Sequence, residues 1–149
     1  MIVEGTYPLP GQPDAIWDLL MDPAVLAKAM PGTRSLTKTA PDRYEGVMAV
    51  GVGPITAAEF ELTIQLADVD RPRSYTMQID GKGRFGFTRG AAHVELAPEG
   101  DGTVMRYRAD LQVGGKIAGL GQRLLDSVSR MLIRQGLEAL NRELTARLS

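Results

Sequence analysis

At 149 residues, 44% of them hydrophobic, the chain has the length of one domain spanning residues 1–149. It can bury roughly 70% of its unfolded surface without a covalent staple. It has no cysteine, which excludes disulfide scaffolds, thiolate nucleophiles and cysteine-based metal sites. A net charge of −1 excludes a strong global field for nucleic acid. No run of about 18 apolar residues offers a membrane span. Met1 to Gly5 has neither the basic nor the apolar stretch of a secretory leader, so the expected location is the cytoplasm.

Val3, Gly5, Tyr7 and Leu9 alternate with polar Glu4 and Thr6, the pattern of a short half-buried strand. Pro13 to Met21 reads as a helix of about two turns, opened by proline. Asp22-Pro23 restarts the chain with a good N-cap followed by a good first-turn residue. The second short helix runs to about Met30 and stops at Pro31-Gly32.

From Thr33 to Gly114 the period becomes two. Tyr44, Gly46, Met48, Val50 and Val52 share one face. Ala58, Phe60, Leu62, Ile64 and Leu66 share the next, opposite Glu59, Glu61, Thr63 and Gln65. Tyr75, Met77 and Ile79 follow, then Ala92, Val94 and Leu96, and last Met105, Tyr107, Ala109, Leu111 and Val113. Gly53-Pro54, Arg71-Pro72, Gly83 to Gly86 and Glu99 to Gly102 are the turns. This is a meander of about six strands with one wet and one apolar face.

Gly114-Gly115 then acts as a hinge into a segment with helical spacing. Ile117, Leu120, Leu124, Val128, Met131 and Leu132 come first, then Leu140 and Leu144. Thirty-odd residues reach about 45 Å, enough to cross a whole sheet. Gly136 interrupts the helix at a cost of about 1 kcal/mol against alanine. The order predicts an α+β fold: one strand, two short helices, about six strands, and a long helix gripped by a strongly curved antiparallel sheet. The two short helices close one end.

Several constellations are weak on inspection. Gly81-Lys82-Gly83-Arg84-Phe85-Gly86 fits G-x-G-x-x-G, but a strand follows where the phosphate-binding mechanism needs a helix. His93, the one histidine, falls on the wet parity, and no second histidine or cysteine completes a metal site. Glu59, Glu61 and Glu95 sit on the outward parity beside Arg106 and Arg108, as cross-strand surface pairs do. The apolar face carries almost no ionisable group, and acid–base chemistry needs one in the cleft. The chain therefore reads as a binding protein and not an enzyme.

What the apolar face does carry is tyrosine: Tyr7, Tyr44, Tyr75 and Tyr107 all fall inward. A buried phenol seeks a hydrogen-bond partner, from the backbone or from a ligand. Met48, Met77, Met105 and Met131 also fall inward, where methionine fills gaps or adapts to flexible apolar ligands. Phe85 and Phe87 flank Gly86 at a turn and cannot both point inward along a regular strand. They are candidates for a gate.

Three stretches carry a resemblance over nearly the whole chain: Met21-Asp22-Pro23 with Met30-Pro31-Gly32, Val52 to Ala57, and Val113 to Ile117 with Leu120 to Leu124. They resemble the CoxG-like family, named for the G component of carbon monoxide dehydrogenase, within the START/Bet v 1-like (SRPBCC) superfamily. The resemblance implies a helix-grip fold with a seven-stranded antiparallel sheet around the C-terminal helix and a cavity between them. It also implies an accessory, non-catalytic role beside molybdenum-containing carbon monoxide dehydrogenases or related hydroxylases, with membrane recruitment and handling of a quinone-like acceptor.

The resulting expectation is a cavity for an apolar, lipid-like molecule, with a quinone as one cargo and no tightly bound cofactor or metal. Its lining would be Met48, Val50, Phe60, Leu62, Tyr75, Met77, Val94 and Tyr107 from the sheet. Leu120, Leu124, Val128 and Met131 would come from the helix, with Phe85 and Phe87 as the gate. Any membrane contact would be peripheral, at the inner face. The rival readings are a polyketide cyclase or hydratase using pocket tyrosines, and an adaptor whose cavity is packed shut.

Overall fold

The computed structural model describes all 149 residues. Strand β1 (Ile2–Leu9) leads into helices α1 (Pro13–Met21) and α2 (Pro23–Ala29). Strands β2 (Thr33–Ala40), β3 (Arg43–Val52), β4 (Ile55–Asp70), β5 (Ser74–Gly83), β6 (Gly86–Glu99) and β7 (Gly102–Gly114) follow as a meander. A 3₁₀ turn (Lys116–Leu120) then precedes helix α3 (Gln122–Leu148). The strands form one antiparallel sheet in the order β1-β7-β6-β5-β4-β3-β2, so the first strand pairs with the last. This is the α+β helix-grip architecture.

The alternation read from the sequence fixes which side chains face α3. Ala58, Phe60, Leu62, Ile64 and Leu66 of β4 are all buried, while Glu59 and Glu61 between them are exposed. Register shifts in β2, β3 and β4 insert unpaired residues that sharpen the local twist and bend the strands. The sheet thereby becomes concave toward the helix.

The short helices start as their caps dictate. The Asp22 carboxylate accepts from the Ala24 amide at 2.8 Å, with Pro23 in the first turn of α2. Helix α1 buries Ile16, Trp17 and Leu20, one stripe facing the sheet. Gly136 has a packing reason: a Cβ there would lie 2.2 Å from the Ala29 carbonyl oxygen. Its bare Cα is what lets the end of α2 rest against α3.

The long tail differs from the expected single helix. Gly121 at φ 99° breaks it, and the preceding residues wind as a 3₁₀ turn seated by the Ile117 amide donating to the Phe85 carbonyl at 2.8 Å. Two hydrophobic clusters result. The larger gathers Leu9, Trp17, Tyr44, Tyr75, Leu140 and Leu144 with their neighbours; the smaller holds Val52, Ala58, Phe60, Ile117 and Leu125.

A divided cavity between sheet and helix

Each cluster lends walls to a chamber. The larger has a volume of about 350 Å³ and is lined by 24 residues, 21 of them hydrophobic. Strands β3 to β7 supply Met48, Leu62, Tyr75, Met77, Val94 and Tyr107, and α2 supplies Leu26 and Ala29. Helix α3 closes it with Leu132, Ile133, Leu137 and Leu140. The smaller, about 220 Å³, is lined by Val50, Val52, Phe60, Ile117, Leu125 and Val128, among others. Met48, Leu62, Thr88, Leu111 and Leu132 border both, so the chambers share a wall. At these volumes the middle of the fold is not packed shut by its own side chains.

Nine of the twelve expected lining residues border one chamber or both: Met48, Val50, Phe60, Leu62, Tyr75, Met77, Val94, Tyr107 and Val128. Leu120, Leu124 and Met131 do not. Leu124 lies instead over Gly53 at the β3–β4 turn, where a Cβ would come within 2.7 Å of it, and Met131 is 38% exposed. The cause is the break at Gly121. A 3₁₀ turn advances three residues per turn, so spacing counted from Ile117 and Leu120 carries the wrong phase into α3. The inward face is Leu125, Val128, Leu132, Ile133, Leu137 and Leu140.

The phenylalanines flanking Gly86 also separate. Phe87 shares the outward parity of Arg89 and His93; its ring covers Gly114, and the Arg89 guanidinium stacks 5.0 Å above it. Phe87 also borders the smaller chamber. Phe85 lies in the turn, half-buried against the smaller cluster and outside the chamber walls.

Among the tyrosines, Tyr44 is spent on structure: it is fully buried and donates to the Met21 carbonyl. Burial, and secondarily Asp22, raises its pKa. Tyr75 is also buried, with its ring edge-to-face on Trp17. Its hydroxyl makes no hydrogen bond to protein, yet no sealed side-chain oxygen lacks a partner, so it opens onto the larger chamber. Burial, with Tyr44 the lesser cause, pushes the Tyr75 phenol well above its ordinary value; it is a donor and not a base. Tyr107 is half-buried and turns back over β1, its hydroxyl 2.6 Å from where a Gly5 Cβ would sit. Thr88, missed by the sequence reading, places a third hydroxyl on the shared wall.

No carboxylate or histidine lines either chamber. His93 sits outside, 3.0 Å from the Thr76 hydroxyl and 3.5 Å from the Glu95 carboxylate. No group of acidic residues and histidine could hold a metal. An open cleft of about 430 Å³ lies on the outer face between Glu59, Glu61, Lys82 and Arg84; its mixed charges suit water and not an apolar guest. No helix is long and apolar enough to cross a membrane.

The family model for CoxG, the G component of carbon monoxide dehydrogenase, matches residues 5–145. The chain belongs to that family. Among curated proteins, none matches the sequence. A conserved protein from Geobacillus kaustophilus is 28% identical, with a TM-score of 0.90 over 98% of this chain and 96% of its own. A START superfamily protein from Mycobacterium smegmatis superimposes at a TM-score of 0.74 and 13% identity, over 99% of each chain. The Zhui aromatase/cyclase from a Streptomyces species does so at 0.72 and 13%, over 100% of this chain and 96% of its own. At 13% identity these last two share the fold and nothing finer. This CoxG chain thus has the START superfamily fold, and both fold and family are compatible with a non-catalytic, ligand-binding accessory protein.

Proposed function

We propose that this CoxG protein is a non-catalytic carrier that holds one apolar, lipid-like molecule, a quinone among the candidates, in its divided cavity. The observation that supports this most directly is a chamber of about 350 Å³ with 21 hydrophobic residues among its 24 and no carboxylate or histidine. Burial of apolar surface drives the binding. Met48 and Leu62 contact the ligand from the shared wall, Tyr75, Met77, Val94 and Tyr107 from the larger chamber, and Val50, Phe60 and Val128 from the smaller.

The family name supports the partner: a molybdenum-type carbon monoxide dehydrogenase or related hydroxylase that exchanges electrons with the cargo. Membrane contact, where the cargo is loaded, is peripheral. A cyclase-type reaction is disfavoured because the one fully buried phenol in the cavity is held protonated and no carboxylate or histidine lines the chambers beside it.

Native mass spectrometry of the protein from its own host, followed by organic extraction, tests the carrier reading. A near-stoichiometric apolar molecule is expected. A clean apo mass, with no uptake of quinones or neutral lipids on titration, would sink it.

A further inference from the structure

The chamber walls offer hydroxyls and no free charge. Tyr75 pairs with Val94 across β5–β6, Val94 with Tyr107 across β6–β7, and Tyr107 with Gly5 across β7–β1. The two tyrosines therefore stand on one row of the sheet, two strand spacings or about 10 Å apart at the backbone. Neither phenol hydrogen-bonds to protein, and Thr88 adds a hydroxyl where the chambers meet.

Cations near the walls are already engaged elsewhere. Arg108 borders the larger chamber, but its side chain is 59% exposed and its Nε lies 3.2 Å from Glu4 on the outer face. The α-ammonium of Met1 donates to the Leu111 carbonyl at 2.8 Å and faces Asp110.

Resting on the carrier reading above, we infer that the cavity selects uncharged ligands bearing an acceptor oxygen, such as a ketone or ester carbonyl, and rejects ionised lipids. An anionic headgroup drawn between these walls loses its water and meets no unpaired cation, which is costly. A neutral carbonyl gives up far less hydration and accepts from Tyr75 or Tyr107. A plain hydrocarbon leaves those phenols without a partner, a mismatch that polar sites discriminate against strongly. Selection is thus set by two tyrosines and by the absence of an unpaired lysine or arginine in the walls.

Three compounds on one ring system separate the possibilities: 2-acetylnaphthalene, 2-ethylnaphthalene and 2-naphthoate, titrated calorimetrically into the full chain at about pH 7.5, where the carboxylate is ionised. The ketone is expected to bind about 10-fold more tightly than the hydrocarbon. The carboxylate should bind at least about 30-fold more weakly than the ketone. The double variant Tyr75→Phe/Tyr107→Phe should bring the ketone to the level of the hydrocarbon. If that variant does not fold, Tyr107→Phe alone, at a half-buried position, should narrow the gap. Carboxylate binding as tight as the ketone overturns the inference and leaves the carrier standing. A ketone no tighter than the hydrocarbon overturns the role of the phenols. Failure of all three compounds to bind overturns the carrier reading and this inference with it.

Discussion

Trp17 and Tyr75 meet edge to face, ring centroids 5.3 Å apart and planes at 88°. The contact joins α1 to the wall of the larger chamber and is worth about 1 kcal/mol beyond burial. Trp17 is the one tryptophan in the chain, so it reports on a residue that would touch the ligand.

Trp17 emission should therefore shift when the larger chamber fills. Trp17→Phe should erase the signal while calorimetry still registers uptake. An unmoved spectrum at saturation would place the ligand away from Tyr75.

Gly5→Ala and Gly136→Ala should separate binding from stability. A Cβ on Gly5 meets only the far end of Tyr107, which can swing toward the chamber. Alanine also favours the strand by about 0.5–1 kcal/mol, so stability should stay level while ligand affinity falls about tenfold. A Cβ on Gly136 meets the backbone oxygen of Ala29 and forces α2 off α3, at a cost of about 2 kcal/mol. Urea melts and titrations on both variants check the pair; equal melting midpoints for the two would refute the distinction.

Parity along the strands was legible because side chains on a strand alternate rigidly. Phe60, Leu62 and Val94 could be placed inward from spacing alone, and so could Thr88, which shares the parity of Ala92 and Val94 but carries no apolar label. The phase of α3 was not legible. It depends on the backbone at Gly121, and nothing in the run Ile117, Leu120, Leu124 announces that the first two lie in a different helix type. Spacing also says which way Leu62 and Val94 face, never whether they touch the helix. The open middle of the core is a matter of distance between layers, set by the bulged curvature of the sheet.

Leu132 borders both chambers and Met131, its neighbour, points to solvent. Leu132→Trp should fill the shared wall, cost about 1–3 kcal/mol through overpacking, and reduce uptake by more than about tenfold. Met131→Trp should change neither. Loss of uptake in the Met131 variant, with Leu132→Trp unaffected, would mean that the chambers are not the binding site.

Alkaline stability should carry the mark of the buried phenols. Tyr44 and Tyr75 both have pKa values raised above the ordinary 10.0, chiefly by burial. Below about pH 10 each phenol is protonated in the folded and unfolded chain, and neither contributes a slope. Above it, the unfolded chain releases protons that the folded chain keeps, so unfolding is favoured as pH rises. Chemical denaturation at about pH 9, 10.5 and 11.5 should show level stability up to about 10 and a fall beyond. Tyr75→Phe, which keeps the ring against Trp17 and removes the titrating group, should make the fall shallower. An unchanged slope in that variant would show that the Tyr75 phenol ionises as freely in the folded chain as in water.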